Sequence, residues 1–315
     1  MFIFGIDVGG TSIKLGLFSG KGDLIESWQI RTRKEAEENV KRHHVLEDSA
    51  ESMLAKCRQH GIATSDIIGV GIDVPGPVQD DGTILRAVNL GWGVFNVRKE
   101  FQEETGVENV VVTNDANAAA LGEMWRGGGR GFKNLVMMTI GTGIGGGLIL
   151  DGKIVNGSNG AAGEIGHMKM DETEKEACGC GGHGCLEQFV AAPGIVRMAK
   201  KKLAADDRPS MLREAKNLTP REVFAGAKIG DPVSLELVEE FGDMFGHACS
   251  LIASVVNPEA FVIGGGVSAA GKIVTDVIQK NYQRRVLPAM ADTKFCLAEL
   301  GNDAGIYGAA KSALG

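Results

Sequence analysis

The chain has 315 residues, long for one domain and comfortable for two. Its apolar fraction of 43% supports a sizeable core, and a net charge of −7 with no basic stripe argues against nucleic acid as the main partner. Glycine supplies 46 residues, about twice the ordinary share, without period or accompanying proline, which excludes collagen-like and low-complexity readings.

Phe2-Ile-Phe-Gly-Ile-Asp7 reads as a strand, Val8-Gly-Gly-Thr11 as a turn, and Ile13 to Phe18 as an alternating second strand. The first apolar run has no basic flank and enters a glycine turn directly, so it does not read as a secretory leader. Gly22-Asp23 turns the chain into a third strand, Leu24 to Ile30. From Lys34 to His60 the pattern is helical, with Val40, Val45, Leu46, Met53, Leu54 and Cys57 near helical spacing and Gly61 closing the helix. Ile67 to Val74 is a buried-type strand stopped by Pro75-Gly-Pro77. Val110 to Val112 is a strand leading to an alanine-rich helix, Ala116 to Arg126, which ends in Gly127-Gly-Gly129, a hinge candidate between domains.

Leu135 to Leu150 is the longest apolar stretch, but Thr139, Thr142 and five glycines cut it. Nothing reaches the roughly 20 residues that span a bilayer. Thr219-Pro-Arg-Glu222 is a capping box with proline at the first helical position. Asp231-Pro232 opens a further helix carrying Leu235 to Val256. The strand Ala260 to Ile263 runs into Gly264-Gly-Gly266, and Asn302 to Leu314 forms a short Gly/Ala-rich helix. These features describe a cytoplasmic protein, and in a reducing compartment its six cysteines are not structural disulfides.

Residues 3–18 and 135–150 share a strand, glycine turn, strand pattern about 130 residues apart. Two related α/β domains explain this repeat, and so does chance similarity of glycine turns. The repeat alone does not separate the two.

Three clusters point to chemistry. Cys178-Gly-Cys180-Gly-Gly-His183-Gly-Cys185 packs three thiols and an imidazole into eight residues, the ligand types that tetrahedral zinc takes. His183 lies in the loop and His167 eleven residues upstream, and spacing leaves open which completes the set. A closed Cys₃His site is structural. Cys57, Cys249 and Cys296 sit in apolar-patterned segments and read as core.

The second cluster is the set of glycine turns: Gly9-Gly10 with Asp7 and Thr11, Gly141-Thr142-Gly143, and Gly264-Gly265-Gly266. Their amides can cradle phosphate, Thr11 and Thr142 add hydroxyls, Lys14 can reach a phosphate, and Asp7 can hold Mg²⁺ through water. Neither the Walker pattern nor the dinucleotide fingerprint is matched.

The third is Thr113-Asn-Asp115-Ala-Asn117, at a strand-to-helix junction. Asp115 can be the helix N-cap, or a carboxylate at the mouth of an α/β sheet that takes a proton from a substrate hydroxyl. Asn89, Glu164 and Glu187 are further polar candidates: singly each reads as solvated surface, whereas recognition of sugar hydroxyls needs several carboxylates and amides converging.

At these residues the chain resembles the ROK family of repressors, open-reading-frame proteins and sugar kinases. The resemblance covers nearly the whole chain. In the family's order it has Asp7-x-Gly-Gly-Thr11, Asn114-Asp-Ala-Asn-x-Ala119, Gly141-Thr-Gly-x-Gly-Gly146, Gly163-Glu-Ile-Gly-His167, Cys178-x-Cys-Gly-x-x-Gly-Cys-x-Glu187 and Gly264-Gly-Gly266. Among members it is most similar to the bacterial glucokinases, notably over Asn114 to Glu123.

The resemblance implies an α/β, actin-like ATPase (ribonuclease H-like) fold of two lobes with a cleft. The expected division is a small lobe over 1–118, joined by about 302–315, and a large lobe over 119–301. Asp115 would be the base for the sugar 6-hydroxyl, with Asn89, Asn114, Glu164, His167 and Glu187 contacting the sugar. Zinc would be held by His167, Cys178, Cys180 and Cys185. ATP with Mg²⁺ would lie across the glycine turns. A homodimer is the expected assembly.

The implied function is ATP-dependent phosphorylation of a hexose, glucose first. N-acetylmannosamine, N-acetylglucosamine, fructose and allose are alternatives that the named residues do not separate. A sugar-responsive repressor is less favoured, because such proteins carry an N-terminal DNA-binding extension, whereas here the first strand starts at residue 2 and the charge is acidic.

Overall fold

The computed structural model describes residues 1–34 and 43–315. Within the described residues no helix is long and apolar enough to cross a membrane. The chain divides into two compact units. The first takes residues 1–131, 147–163 and 300–315, the second residues 132–146 and 164–299.

The first unit is built on a five-stranded sheet. Its strands are β1 (Phe2–Val8), β2 (Ser12–Ser19), β3 (Leu24–Arg31), β4 (Ile67–Val74) and, after the two-residue strands β5 (Thr83–Ile84) and β6 (Phe95–Asn96), β7 (Val110–Asn114). The order is β3-β2-β1-β4-β7: β1, β2 and β3 form an antiparallel meander, and β4 and β7 add in parallel. Strand β3 alternates half-buried and exposed positions, as an edge strand with one wet face should.

Helices α1 (His44–His60), α2 (Val97–Thr105) and α3 (Asp115–Arg126) follow their strands. The helix expected from Lys34 begins instead at His44; residues 35–42, including Val40, lie outside the described residues. Gly61 ends α1 in the left-handed conformation, as its position suggested.

The second sheet has the order β10-β9-β8-β11-β12, from β8 (Leu135–Ile140), β9 (Ile144–Leu150), β10 (Lys153–Ile154), β11 (Ala260–Gly264) and β12 (Lys294–Leu297). Read from β1 and from β8, the two sheets have the same strand order: three consecutive strands, then two added beside the first. Of the two explanations of the repeat, related domains is the one this topology matches. Around the second sheet lie α4 (Glu187–Val190), α5 (Ala192–Ala205), α6 (Pro220–Lys228), α7 (Pro232–Val256) and α8 (Lys272–Gln283); α9 (Ala304–Leu314) belongs to the first unit. Thr219 and Glu222 form the expected capping box, and Asp231 caps α7 at Ser234 N. The expected 302–314 segment is helical from Ala304, the start of α9, and a 3₁₀ turn, Gly301–Asp303, leads into it.

Where the first unit ends differs from the expected boundary at residue 118. All of α3 stays with it because α3 packs on α9 at backbone range: a Cβ on Gly122 would lie 2.3 Å from Ala304 O, and one on Gly308 would lie 1.6 Å from Ala118 O. The same helix α9 lies on the sheet through Gly71, whose Cβ would fall 1.7 Å from Ala309 O. Part of the glycine excess is thus a packing requirement, since any side chain here would force the layers apart at about 1–3 kcal/mol or more.

On the other side of the sheet a core of Phe4, Ile6, Leu15, Ile72, Leu90 and Trp92 is fully buried. His43, itself buried, stacks on Phe95 with ring centroids 3.5 Å apart and meets Trp92 edge-on. Its Nδ1 lies 2.9 Å from Glu100 Oε2. This cluster anchors the short turn Val88–Leu90, on which Asn89 is exposed.

Candidate active site

In the first unit the polar candidates gather outside the carboxyl ends of β1, β4 and β7, where open α/β sheets bind ligands. The turn after β1 is tight: Gly9 N donates to Ser12 O at 3.1 Å. A Cβ on Gly10 would touch the Asn89 Cβ at 3.7 Å, so the glycine turn and Asn89 are neighbours. Lys14 pairs with Asp303 and also donates to Asn302 O at 3.4 Å, so its ammonium is already engaged.

Asp7 and Asp73 occupy matched positions on β1 and β4, and Thr113 follows on β7. Asp73 has no exposed surface, and among the described residues no backbone amide or basic side chain donates to its oxygens; its polar neighbour is Asp7. Burial, then the neighbouring Asp7 charge, holds its carboxyl well above the usual range, and Asp115 adds to this. Burial raises Asp7 as well, against the lowering effects of Asp73 and Lys14. Both shifts favour the protonated form, so the pair gives up its protons at higher pH than ordinary carboxylates do. Sequence reasoning passed over Asp73. The available signal was a carboxylate inside an otherwise apolar strand.

At the head of α3 the roles of two residues separate. Asn114 Oδ1 accepts from Ala116 N at 3.0 Å and Asn117 N at 3.3 Å, while its Nδ2 donates to Gly76 O at 3.1 Å. Asn114 is the N-cap, not Asp115. Asp115 is the first helical residue, is exposed, and accepts from Ala116 N at 2.8 Å. The helix cap thus uses the amide side chain and leaves the carboxylate turned outward. Asn117 is buried; its Nδ2 donates to Asn156 Oδ1 at 3.1 Å, and Asn156 Nδ2 donates to Asp80 Oδ1 at 3.0 Å.

In the second unit, two glycine turns and the thiol loop lie at one end of the sheet. A Cβ on Gly265 would fall 2.5 Å from Ile140 O, which seats the Gly264–Gly266 turn against the strand end that leads to Gly141, Thr142 and Gly143. A Cβ on Gly143 would lie 3.0 Å from Glu187 Oε2, and one on Gly166 would lie 2.5 Å from Ile144 O. These close approaches bring the Glu164–His167 segment and Glu187 beside the Gly141–Gly143 turn. Next to Gly266 opens a cavity of about 420 Å³, lined by Val267, Phe224, Ala270, Arg221 and Lys228.

One donor atom each from His167, Cys178, Cys180 and Cys185 lies within 4.8 Å of the others. The sulfurs of Cys180 and Cys185 are 3.7 Å apart, and Cys178 Sγ is 3.7 Å from His167 Nδ1. A tetrahedral ion with metal–sulfur bonds of about 2.3 Å sets ligand–ligand edges of roughly 3.8 Å. Donor type and spacing both fit zinc. His183 is not in the group; its Nδ1 lies 3.1 Å from Glu176 O. The other face of His167 looks toward Glu164, with Nε2 3.9 Å from Oε2. Without a cation, burial and the bond to Glu187 push the Cys178 thiol up to about 12, and its S–H donates to Glu187 Oε1 at 2.9 Å. A coordinated thiol loses that proton outright.

The sequence profile of the ROK family matches residues 3–315. A glucokinase of Halalkalibacterium halodurans is 38% identical over 309 residues, covering 96% of this chain and 92% of that protein. The crystal structure of a ROK family glucokinase from Streptomyces griseus, in complex with glucose and AMPPNP, is 31% identical, with TM-score 0.73 and 99% of each chain covered. A ROK hexokinase from Thermus thermophilus is 32% identical, with TM-score 0.79, covering 98% of this chain and 97% of that one. The fold is the α/β, actin-like ATPase fold of these kinases. With its motifs in order and the match running nearly end to end, the chain belongs to the ROK family.

Proposed function

We propose that this protein is an ATP-dependent glucokinase that transfers the γ-phosphoryl group of ATP to the 6-hydroxyl of glucose. The observation that carries the reading is the exposed Asp115 carboxylate on the first turn of α3, beside the Asn114 cap and at the carboxyl end of β7. A sugar hydroxyl is a weak nucleophile, and a fixed carboxylate orients it and takes its proton as the phosphoryl group moves. The glucokinase likenesses support glucose as the acceptor.

Asn89, Asn114, Glu164, His167 and Glu187 would hold sugar hydroxyls, the roles that the family resemblance implies. The amides of Gly9, Gly10, Gly141, Gly143, Gly264, Gly265 and Gly266, with the Thr11 and Thr142 hydroxyls, would hold phosphates. The cavity beside Gly266 suits the purine base: Phe224 and Val267 give apolar walls, while Arg221 and Lys228 add cations. Asp7 would hold Mg²⁺ through water; when bound with ATP that ion neutralises charge developing on the phosphates.

Zinc would be bound by His167, Cys178, Cys180 and Cys185. With four protein donors it has no open position, so its part is to fix the loop carrying His167 and Glu187. His167 would serve zinc through Nδ1 and the sugar through Nε2. The protein would act as a homodimer, the assembly implied by the family resemblance.

Phosphorus NMR of a mixture of protein, glucose and Mg-ATP tests the reading. The expected product is a phosphomonoester at the sugar 6-position, formed with ADP. Appearance of inorganic phosphate alone would show an ATPase instead.

A further inference from the structure

Glu123 lies near the end of α3 and has no exposed surface. Two general rules oppose a carboxylate there. The unsatisfied groups at a helix C-terminus are carbonyls, which need donors. The helix dipole also disfavours negative charge at that end. Glu123 instead serves amides beyond the helix. Gly128 N donates to Oε2 and Leu300 N donates to Oε1, both at 2.8 Å. The backbone carbonyl of Glu123 accepts from Gly127 N and Gly129 N, both at 3.0 Å.

These amides stand at two of the four passages of the chain between the units. The chain leaves the first unit after Gly131, returns to it for residues 147–163, and re-enters it for the last time at Leu300. One side chain thus ties the exit segment and the re-entry point to the same turn of α3, across a sequence separation of 177 residues. Gly127 makes the space: a Cβ there would lie 1.9 Å from Glu123 Oε2 and 2.6 Å from its Cδ.

We propose that Glu123 is a positioning residue that couples the first and the last of these passages into a single joint, so that the groups needed for phosphoryl transfer keep their alignment. It touches neither sugar nor nucleotide and acts through the backbone at Gly128 and Leu300. The functional half of this proposal rests on the kinase reading; the coupling of the two segments does not.

The test uses the full chain with Glu123→Gln and, separately, Gly127→Ala. In Glu123→Gln one accepting oxygen becomes an NH₂ group that opposes an amide donor. In Gly127→Ala the new methyl meets the Glu123 carboxylate first, at 1.9 Å from Oε2 against 3.0 Å from its Cα, so the side chain gives way before the backbone and the carboxylate is displaced. Hydrogen exchange of residues 127–131 and 299–303 is measured without ligands, and kcat and KM are measured for glucose and ATP. Coupling predicts that both segments lose protection together in each variant. Misalignment predicts a kcat lower by roughly 10–100-fold with KM for ATP within about threefold. Exchange rising in one segment alone would overturn the coupling. Both segments deprotected with kcat unchanged would overturn the positioning role. Were the wild-type chain to transfer no phosphoryl group to sugar, the kinase reading would fail while the exchange result still decided the coupling.

Discussion

Asn114 caps α3 at the amides of Ala116 and Asn117, and the adjacent Asp115 is left exposed on the first turn. The two residues could have shared one task, because either side chain can cap a helix. Asn114 does the capping, and the Asp115 carboxylate stays exposed beside it, accepting from the Ala116 amide.

Asp115→Asn should therefore keep the fold and lose turnover. Asparagine keeps a side-chain oxygen for the Ala116 amide, so this exposed substitution changes stability by under about 0.5 kcal/mol. Loss of the base lowers kcat by roughly 10²–10⁴-fold. Steady-state kinetics beside a thermal melt checks both, and near-normal kcat would remove Asp115 from the chemistry.

Asn114→Ala should do the reverse in stability. It removes the cap, worth about 1 kcal/mol, and the bond to Gly76 O, worth up to about 1 kcal/mol more. A melting point lower by roughly 2–4 °C per kcal/mol is expected. A melt unchanged from wild type would mean that another group caps α3.

Elemental analysis should find about one zinc per chain in the wild type and in His183→Ala, but not in Cys180→Ser. Retention in His183→Ala follows from the position of that ring, away from the thiols. Zinc must displace the Cys178 proton, held at about 12 in the absence of a cation, so chelators should strip the metal faster as pH falls. Loss of zinc in His183→Ala with retention in His167→Ala would reverse the ligand assignment.

Asp73 predicts a pH dependence of stability. Its folded-state carboxyl is held well above the ordinary carboxylate value, so the folded chain binds more protons than the unfolded one. The contribution is fully present below the unfolded value of 3.8 and is lost as pH rises toward the folded value. Asp73→Asn removes the titrating group. Without Mg²⁺ or nucleotide, its melting point relative to wild type should rise with pH from about 4 upward. A constant difference across that range would show that Asp73 does not hold the proton.

How much of this was legible in the sequence depended on how local the signal was. Strands β1, β2, β4, β8 and β11 were visible from apolar runs ended by glycine or proline, and α6 and α7 from Thr219 and Asp231. Helices α2, α5 and α8 were not anticipated, although α2 carried legible signals in the Asn96 N-cap and the Gly106 C-cap; α8 has no side-chain cap. The glycine turns and thiol loop were legible because few other purposes bring such residues so close together. The rest needed tertiary contacts. Asp115 could not be told from a cap until the side chain of Asn114 was placed. Asp73 gained meaning from its register with Asp7, and Glu123 from an amide 177 residues away. Lys14 read as a phosphate ligand, and only the structure pairs it with Asp303.

The central claim is the sugar phosphorylation itself. ADP release with Mg-ATP should be measured against glucose, N-acetylmannosamine, N-acetylglucosamine, fructose and allose. The account predicts sugar-dependent ADP release with the highest kcat/KM for glucose. A higher kcat/KM for N-acetylmannosamine would contradict the glucokinase reading, and release independent of every sugar would contradict the kinase reading as a whole.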